Sequence, residues 1–89
     1  MIRRDLTLTN RLGLHARAAS KLVQTASGFD SAVWLERDGR RVNAKSIMGV
    51  LLLAAPVGSE LVLEVDGKDE ADAADALVAL VEDRFGEGE

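Results

Sequence analysis

The sequence has no cysteine and only one proline, and it lacks a long apolar run. Without cysteine the chain can form no disulfide framework, no thiol nucleophile and no sulfur metal site. Its longest apolar stretch, residues 47–58, is interrupted by glycine and proline and is shorter than the ~18 residues that a membrane span needs. No apolar segment follows the basic amino terminus, so no signal peptide is predicted. We therefore expect a soluble, cytoplasmic protein that does not insert into membranes.

Basic residues are scarce in the second half of the chain. Residues 1–45 hold nine Lys and Arg against four Asp and Glu, whereas residues 46–89 hold two against eleven, so the halves carry +5 and -9. A nucleic-acid-binding domain should be dominated by a basic face, so this balance predicts no general nucleic-acid binding. A local basic zone for a phosphate group or an acidic partner is still compatible with the first half.

The first half of the sequence predicts a strand, a helix and a β-hairpin. Ile2, Leu6 and Leu8 stand at even positions, interrupted by Arg4, and indicate a strand with one apolar face. From Ala16, apolar residues at intervals of three and four predict a helix that Gly28 ends. Asp38-Gly39 favours a type I′ hairpin turn, because both central residues need a positive φ. The alternation around this turn places Val33, Leu35 and Val42 on the core face. It places Trp34 on the opposite face of the sheet, and the role of Trp34 stays open.

The second half predicts a short helix with apolar residues on two sides. Ser46 can cap this helix, which Pro56 and Gly58 should close. Val50, Leu53 and Ala54 form a stripe that is expected to face the core. A second stripe is made of Ile47, Met48 and Leu51. A small domain can rarely bury both stripes, so the second is expected to be exposed as a docking patch.

The sequence also predicts a fourth strand, with Leu61, Leu63 and Val65 on one side, and a last helix from Asp69 to Phe85. The predicted order is therefore β-α-β-β-α-β-α. Hairpin-like alternation in four strands predicts a mostly antiparallel sheet with its apolar face covered by the helices. The fold class is therefore α+β: a two-layer open-faced sandwich, with a four-stranded antiparallel sheet and three helices on one face. At 89 residues the chain is expected to be one domain, residues 1–89.

The only histidine, His15, stands in the stretch GLHAR at residues 13–17. It is expected at the N-cap or first position of the first helix, where backbone N–H groups lack intrahelical partners and the helix dipole favours an anion. The backbone amides of Ala16 and Arg17 and the Arg17 guanidinium could hold phosphate oxygens. An imidazole, free amides and an arginine suit a histidine that accepts and donates a phosphoryl group. A plain surface or capping histidine is the alternative that these residues leave open.

The stretches GLHARAA and KSIMGVLLLA resemble the histidine-containing phosphocarrier protein (HPr) family of the bacterial phosphoenolpyruvate-dependent phosphotransferase system, including its nitrogen-related branch. The resemblance runs from about Leu6 to about Phe85. It implies that His15 is phosphorylated on Nδ1 by enzyme I and passes the group to a histidine of a IIA-type protein, while Arg17 neutralises the phosphoryl group. It implies no cofactor and no metal, and nothing in the sequence demands more than a monomer.

The same resemblance implies a docking surface and a regulatory site. The serine that matches Ser46 is phosphorylated in some bacteria by an HPr kinase/phosphorylase. Many members have proline where this chain has Ala18, and alanine also favours a helix there. The exposed face of the first helix and the second stripe of the short helix would form the surface that meets both partners: Ser20, Lys21, Gln24, Ile47, Met48 and Leu51.

Two other functions are compatible with the sequence. A small acyl-phosphate hydrolase also uses a compact α+β domain and an arginine-amide phosphate cradle, but the sequence shows no matching loop. A coregulator could bind a transcription factor through phosphorylated Ser46 and ignore His15. The presence of both His15 and Arg17 argues against that as the sole role.

Overall fold

The computed structural model describes residues 1–87. Its sheet has the strand order β1-β4-β2-β3, and every neighbouring pair is antiparallel, as the sequence predicted. Within residues 1–87, no helix has the length and apolar character needed to cross a membrane. In chain order the elements are β1 (Ile2–Thr7), α1 (Ala16–Ser27), β2 (Ala32–Arg37), β3 (Arg40–Asn43), α2 (Ile47–Leu52), β4 (Glu60–Asp66), α3 (Glu70–Glu82) and a closing 3₁₀ turn (Arg84–Gly86).

One face of the sheet and the three helices enclose the core. In the central strand β4, Leu61, Leu63 and Val65 are at most 1% exposed, and their alternation with half-exposed residues places them all on the helix side. The side chains that α1 and α3 contribute to the same core are Ala18, Ala19, Leu22, Ala26, Ala73, Ala74, Leu77 and Val81. The predicted two-layer α+β sandwich is confirmed.

The hairpin between β2 and β3 follows its predicted turn chemistry. Asp38 and Gly39 both have positive φ, 51° and 82°. Trp34 lies half-buried on the open face of the sheet, opposite Glu64 of β4. The guanidinium of Arg41 stacks 4.2 Å from the Trp34 ring centroid, and its Nε donates to Glu64 Oε1 at 3.1 Å. Trp34 alternates with the buried Val33 and Leu35, which places it outside the core, and a cation–π contact with Arg41 covers one face of its ring.

The end of α2 differs from its prediction. The helix stops at Leu52, because the backbone turns at Ala54, which has a φ of 47° and is exposed rather than facing the core. Arg37 Nη1 donates to the Leu53 carbonyl at 3.1 Å, and Arg40 Nη1 donates to the Leu52 carbonyl at 3.2 Å. Side chains from the hairpin therefore satisfy carbonyls that a longer helix would have bonded internally.

The last helix also ends before its predicted boundary at Phe85. Regular α-helix stops at Glu82, and both Arg84 and Phe85 adopt left-handed backbone angles, with φ of 54° and 55°. The Phe85 side chain is 1% exposed. Burial of this ring bends the chain out of the helix and back towards α1, because a continued helix would have carried residue 85 past the core.

Candidate functional site

His15 is the N-cap residue of α1, one of the two positions predicted for it. Its backbone is extended (φ -76°, ψ 177°), and its carbonyl accepts the first intrahelical bond, from the Ala19 N–H at 2.8 Å. The Arg17 N–H points at His15 Nδ1, 3.4 Å away. The ring therefore takes the place of the serine or aspartate side chain that caps most helices.

The loop before His15 is held against the end of α2. Gly13 has a φ of 66°, and a Cβ at this position would lie 2.4 Å from the Ala55 carbonyl oxygen, so only glycine fits. The next residue, Leu14, donates its N–H to the same Ala55 carbonyl at 2.9 Å and is buried. This close contact fixes the position of the imidazole relative to α2.

The other ring nitrogen of His15 faces a carboxylate from the end of the described chain. Nε2 pairs with Glu87 Oε2, and Asn10 Nδ2 donates to Glu87 Oε1 at 3.0 Å. Burial raises the pKa of Glu87. The hydrogen bonds from Asn10 and His15 and the charge of Lys21 lower it by more than burial raises it, so the pKa lies below its usual value. The carboxylate is therefore ionised at neutral pH.

An open cleft of about 660 Å³ surrounds the ring. Three cationic side chains line it, against the one carboxylate of Glu87, so the cleft favours an anion. Residues 1–87 contain no group of three or more His, Asp or Glu side chains that could hold a metal ion. The lining consists of Arg11, Leu12, His15, Ala16, Arg17, Lys21, Gly86 and Glu87.

The structure places the α1 residues of the predicted docking surface in different environments. Gln24 is exposed and its Nε2 donates to the half-buried Ser20 hydroxyl at 3.5 Å. The ammonium of Lys21 instead donates to the Phe85 carbonyl at 2.5 Å. Lys21 therefore joins α1 to the closing turn as well as lining the cleft.

The α2 residues of that surface are exposed with one exception. Ile47 is 40% exposed and Met48 is 67% exposed, whereas Leu51 is partly buried and packs against the core. Exposure of Leu51 was therefore a wrong prediction: α2 packs against both α1 and β3, which leaves only one side of this short helix open. Leu52 at 59% and Leu12 at 65% are exposed large apolar residues that the sequence pattern did not single out.

Ser46 caps α2 as predicted. Its hydroxyl accepts from the Gly49 N–H at 3.2 Å, and the residue is exposed. It directly precedes Ile47 and Met48, so a charge added at its oxygen would lie beside their exposed side chains.

Comparison with known proteins shows the family of the chain. Residues 2–83 match the family described as "PTS HPr component phosphorylation site". The phosphocarrier protein HPr of Cupriavidus necator is 60% identical over 89 residues, which is all of both chains. The chain belongs to the HPr family. This protein is a phosphocarrier of the phosphotransferase system.

Solved HPr structures share the architecture. A crystal structure of HPr from Thermoanaerobacter tengcongensis superposes with a TM-score of 0.95 at 47% identity, covering 98% of each chain. A crystal structure of an HPr dimer from the same organism gives a TM-score of 0.79 at 47% identity, covering 98% of this chain and 100% of that one. The sequence-based recognition of the family is thus confirmed, while the nitrogen-related branch is not.

Two residues that lie beside His15 were not predicted from the sequence: Asn10 and Glu87. Glu87 carries no local signal, since it acts through contacts with His15 and Asn10, which are far away along the chain. Asn10 does have a local signal. It stands three residues before the loop glycine Gly13, and asparagine favours loops in which its side chain forms hydrogen bonds with nearby backbone groups. Its Nδ2 does donate to the Gly13 carbonyl, at 2.7 Å.

Proposed function

We propose that His15 accepts a phosphoryl group from phospho-enzyme I and passes it to a histidine of a IIA-type protein. One observation carries this: Nδ1 of the only histidine lies at a helix N-cap, in a cleft lined by Arg11, Arg17 and Lys21. A phosphoryl group that is transferred spreads its charge over its equatorial oxygens, and fixed donors stabilise that charge. Acceptors in both the sugar and the nitrogen-related branch fit this chemistry.

In the transfer step, the Nδ1 lone pair of His15 forms the N–P bond while the N–P bond to the enzyme I histidine breaks. The electron pair of the broken bond stays on the donor nitrogen, and the reverse sequence loads the IIA histidine. The Arg17 N–H, which points at Nδ1 in the unloaded protein, is placed to donate to a phosphoryl oxygen in the loaded one. The Ala16 backbone lines the same cleft, and the Arg17 guanidinium would pair with the group during both transfers.

The docking surface for both partners would combine α1 and the exposed side of α2. Ile47, Met48 and Leu12 are exposed apolar residues, and Leu12 also lines the cleft. Ser20, Lys21 and Gln24 would add polar contacts beside them, and Leu51 would support the patch from below. A surface that serves donor and acceptor in turn must bind weakly, so a small apolar patch with a polar rim suits it.

Phosphorylation of Ser46 would act on this docking surface rather than on the fold. A phosphate adds about -1.5 to -2 charge at neutral pH. That charge would stand beside Ile47 and Met48, so it should weaken docking. An HPr kinase/phosphorylase would be the enzyme that phosphorylates Ser46.

The remaining parts of the proposal concern the protein as a whole. Residues 1–89 form a single cytoplasmic domain that acts as a carrier and not as an enzyme, with no metal, cofactor, nucleic acid or membrane insertion. We propose a monomer in solution, which light scattering coupled to size exclusion tests directly. A dimer there, like that of the Thermoanaerobacter tengcongensis protein, would contradict this part alone.

The test of carrier function is phosphorylation by phosphoenolpyruvate, magnesium for the donor enzyme, and a bacterial enzyme I, followed by intact-mass spectrometry. We expect one added phosphoryl group that acid removes and alkali spares, and no addition to His15→Ala. Ser46→Ala is the matched control, because each variant loses a helix cap worth about 1 kcal/mol. A His15→Ala protein that still took up the group would refute the assignment.

A further inference from the structure

The two nitrogens of the His15 ring have partners of opposite kind. The Arg17 backbone N–H can only donate, so Nδ1, 3.4 Å away, must present a lone pair to it. An ionised carboxylate can only accept, so Nε2, which pairs with Glu87, must carry the proton. The neutral imidazole is therefore held as the Nε2–H tautomer, with its lone pair on Nδ1.

Glu87 is itself held in place by a buried amide. Asn10 is 0% exposed, and its Nδ2 donates both to the Gly13 carbonyl at 2.7 Å and to Glu87 Oε1 at 3.0 Å. Both partners are acceptors, which fixes the orientation of the Asn10 amide. The Glu87 side chain is only 12% exposed. Each of its oxygens thus has its own donor, one from Asn10 and one from His15.

The backbone that carries Glu87 is anchored by two further contacts. The Phe85 ring is buried in the core, and the Lys21 ammonium donates to the Phe85 carbonyl at 2.5 Å. The left-handed angles of Arg84 and Phe85 reverse the chain direction at this point. The carboxylate therefore reaches the ring from an anchored turn.

We propose that Glu87 is a positioning residue for phosphoryl transfer, holding the His15 proton on Nε2 so that the Nδ1 lone pair faces the incoming group. This role rests on the proposed function. As the N–P bond forms, Nδ1 gives its pair to phosphorus and the ring gains positive charge. The Nε2 proton stays on the ring, where the Glu87 carboxylate stabilises that charge, as the aspartate of a catalytic triad does for its imidazolium.

The charges around the ring allow a carboxylate beside a phosphoryl group. Glu87 contacts the Nε2 side of the ring, whereas the group would bind on the Nδ1 side, where the Arg17 amide lies. Arg11, Arg17 and Lys21 line the same cleft and offset the repulsion between the two anions. The lowered pKa of Glu87 means that its carboxylate is ionised at neutral pH before the phosphoryl group arrives.

The test compares wild type with Glu87→Ala and Glu87→Gln, and uses Glu82→Gln, an exposed residue of α3, as the matched control. Nitrogen-15 NMR of the ring reports the tautomer, and single-turnover transfer from phospho-enzyme I reports the rate. We expect a pure Nε2–H tautomer in wild type and the control, and a mixture of both tautomers in Glu87→Ala. The transfer rate should fall about 10- to 100-fold, the loss seen when a partner that orients a metal-binding histidine is removed.

Glu87→Gln separates charge from shape. Asn10 and His15 contact different oxygens of Glu87, and a glutamine has an NH2 group in place of one of them, so one of the two donors would face another donor. We expect its transfer rate to fall with that of Glu87→Ala although the fold, checked by circular dichroism, is kept.

Two failures can be told apart. If Glu87→Ala and wild type show the same ring spectrum and the same transfer rate, the role of Glu87 is overturned while His15 keeps its function. If wild type itself takes up no phosphoryl group, the proposed function fails, and the role of Glu87 fails with it.

Discussion

Replacement of Gly13 by alanine tests how the loop before His15 is fixed. The φ of 66° at Gly13 costs an L residue about 1–2 kcal/mol in free energy of unfolding. The new Cβ would also lie 2.4 Å from the Ala55 carbonyl oxygen and 2.8 Å from Pro56 Cα, both backbone atoms that cannot rotate away. Overpacking of this kind adds about 1–3 kcal/mol, so we expect a total loss of about 2–5 kcal/mol.

The matched control is Gly39→Ala. Gly39 has a φ of 82°, but a Cβ there would meet nothing within 4 Å. It should therefore cost only the backbone strain, about 1–2 kcal/mol. Alanine also restricts the unfolded chain, which favours folding by about 0.4–1 kcal/mol, but this contribution is the same in both variants.

The assay is urea denaturation of both variants, monitored by circular dichroism, which gives the free energy of unfolding of each. Because strain and unfolded-state effects are shared, the difference between the variants isolates the contact with Ala55 and Pro56. We expect Gly13→Ala to lose at least about 1 kcal/mol more than Gly39→Ala. Equal losses would refute the claim that close backbone contact, and not φ alone, requires glycine at this position.

Three further predictions concern docking, acid stability and the closing turn. Met48→Glu should raise the KM for enzyme I about ten- to a hundredfold with little change in stability, because burial of a methionine in the complex is worth about 1.5–3 kcal/mol. Transfer kinetics measure this with Ala71→Glu as the control, and equal KM values for the two variants would contradict it. Asp69 accepts from the Ser31 hydroxyl, the Asp30 N–H and the Ser31 N–H, which hold its pKa below its usual value. The stabilising effect of the ionised Asp69 is thus complete at neutral pH and is lost as the pH falls through that lowered pKa. The loss in free energy of unfolding of Asp69→Asn, measured by urea denaturation, should therefore shrink in acid. A loss that did not change with pH would argue against an ionised acceptor. Phe85→Ala should lower the free energy of unfolding by about 3–5 kcal/mol, measured by denaturation, and a loss below about 1 kcal/mol would show that the ring is not part of the core.

Short-range signals predicted the parts of the fold that depend on neighbouring residues. The caps at His15 and Ser46 and the turn at Asp38-Gly39 each follow from side chains and backbone angles within four residues. The periodicity of α1 and the alternation of β4 follow in the same way, because one face of each element is buried.

Long-range contacts set the features that the sequence analysis missed. The true end of α2 depends on Arg37 and Arg40, which are distant in sequence from the carbonyls that they bond. The end of α3 depends on where the core can accept the Phe85 ring. Glu87 reaches His15 across 72 positions. No local pattern encodes such a contact, so the position of the His15 proton could be read only from the folded chain.

The strand order also determines when this protein can fold during its synthesis. β1 is complete at Thr7, but β4, its only partner strand within residues 1–87, ends at Asp66. At a synthesis rate of about 5–20 residues per second, β1 stays unpaired on the nascent chain for about 3–12 s. The surroundings of the His15 ring assemble later still, since Glu87 follows β4 and α3. A ribosome-bound fragment that lacks the last turn would thus hold the histidine without the carboxylate that orients it.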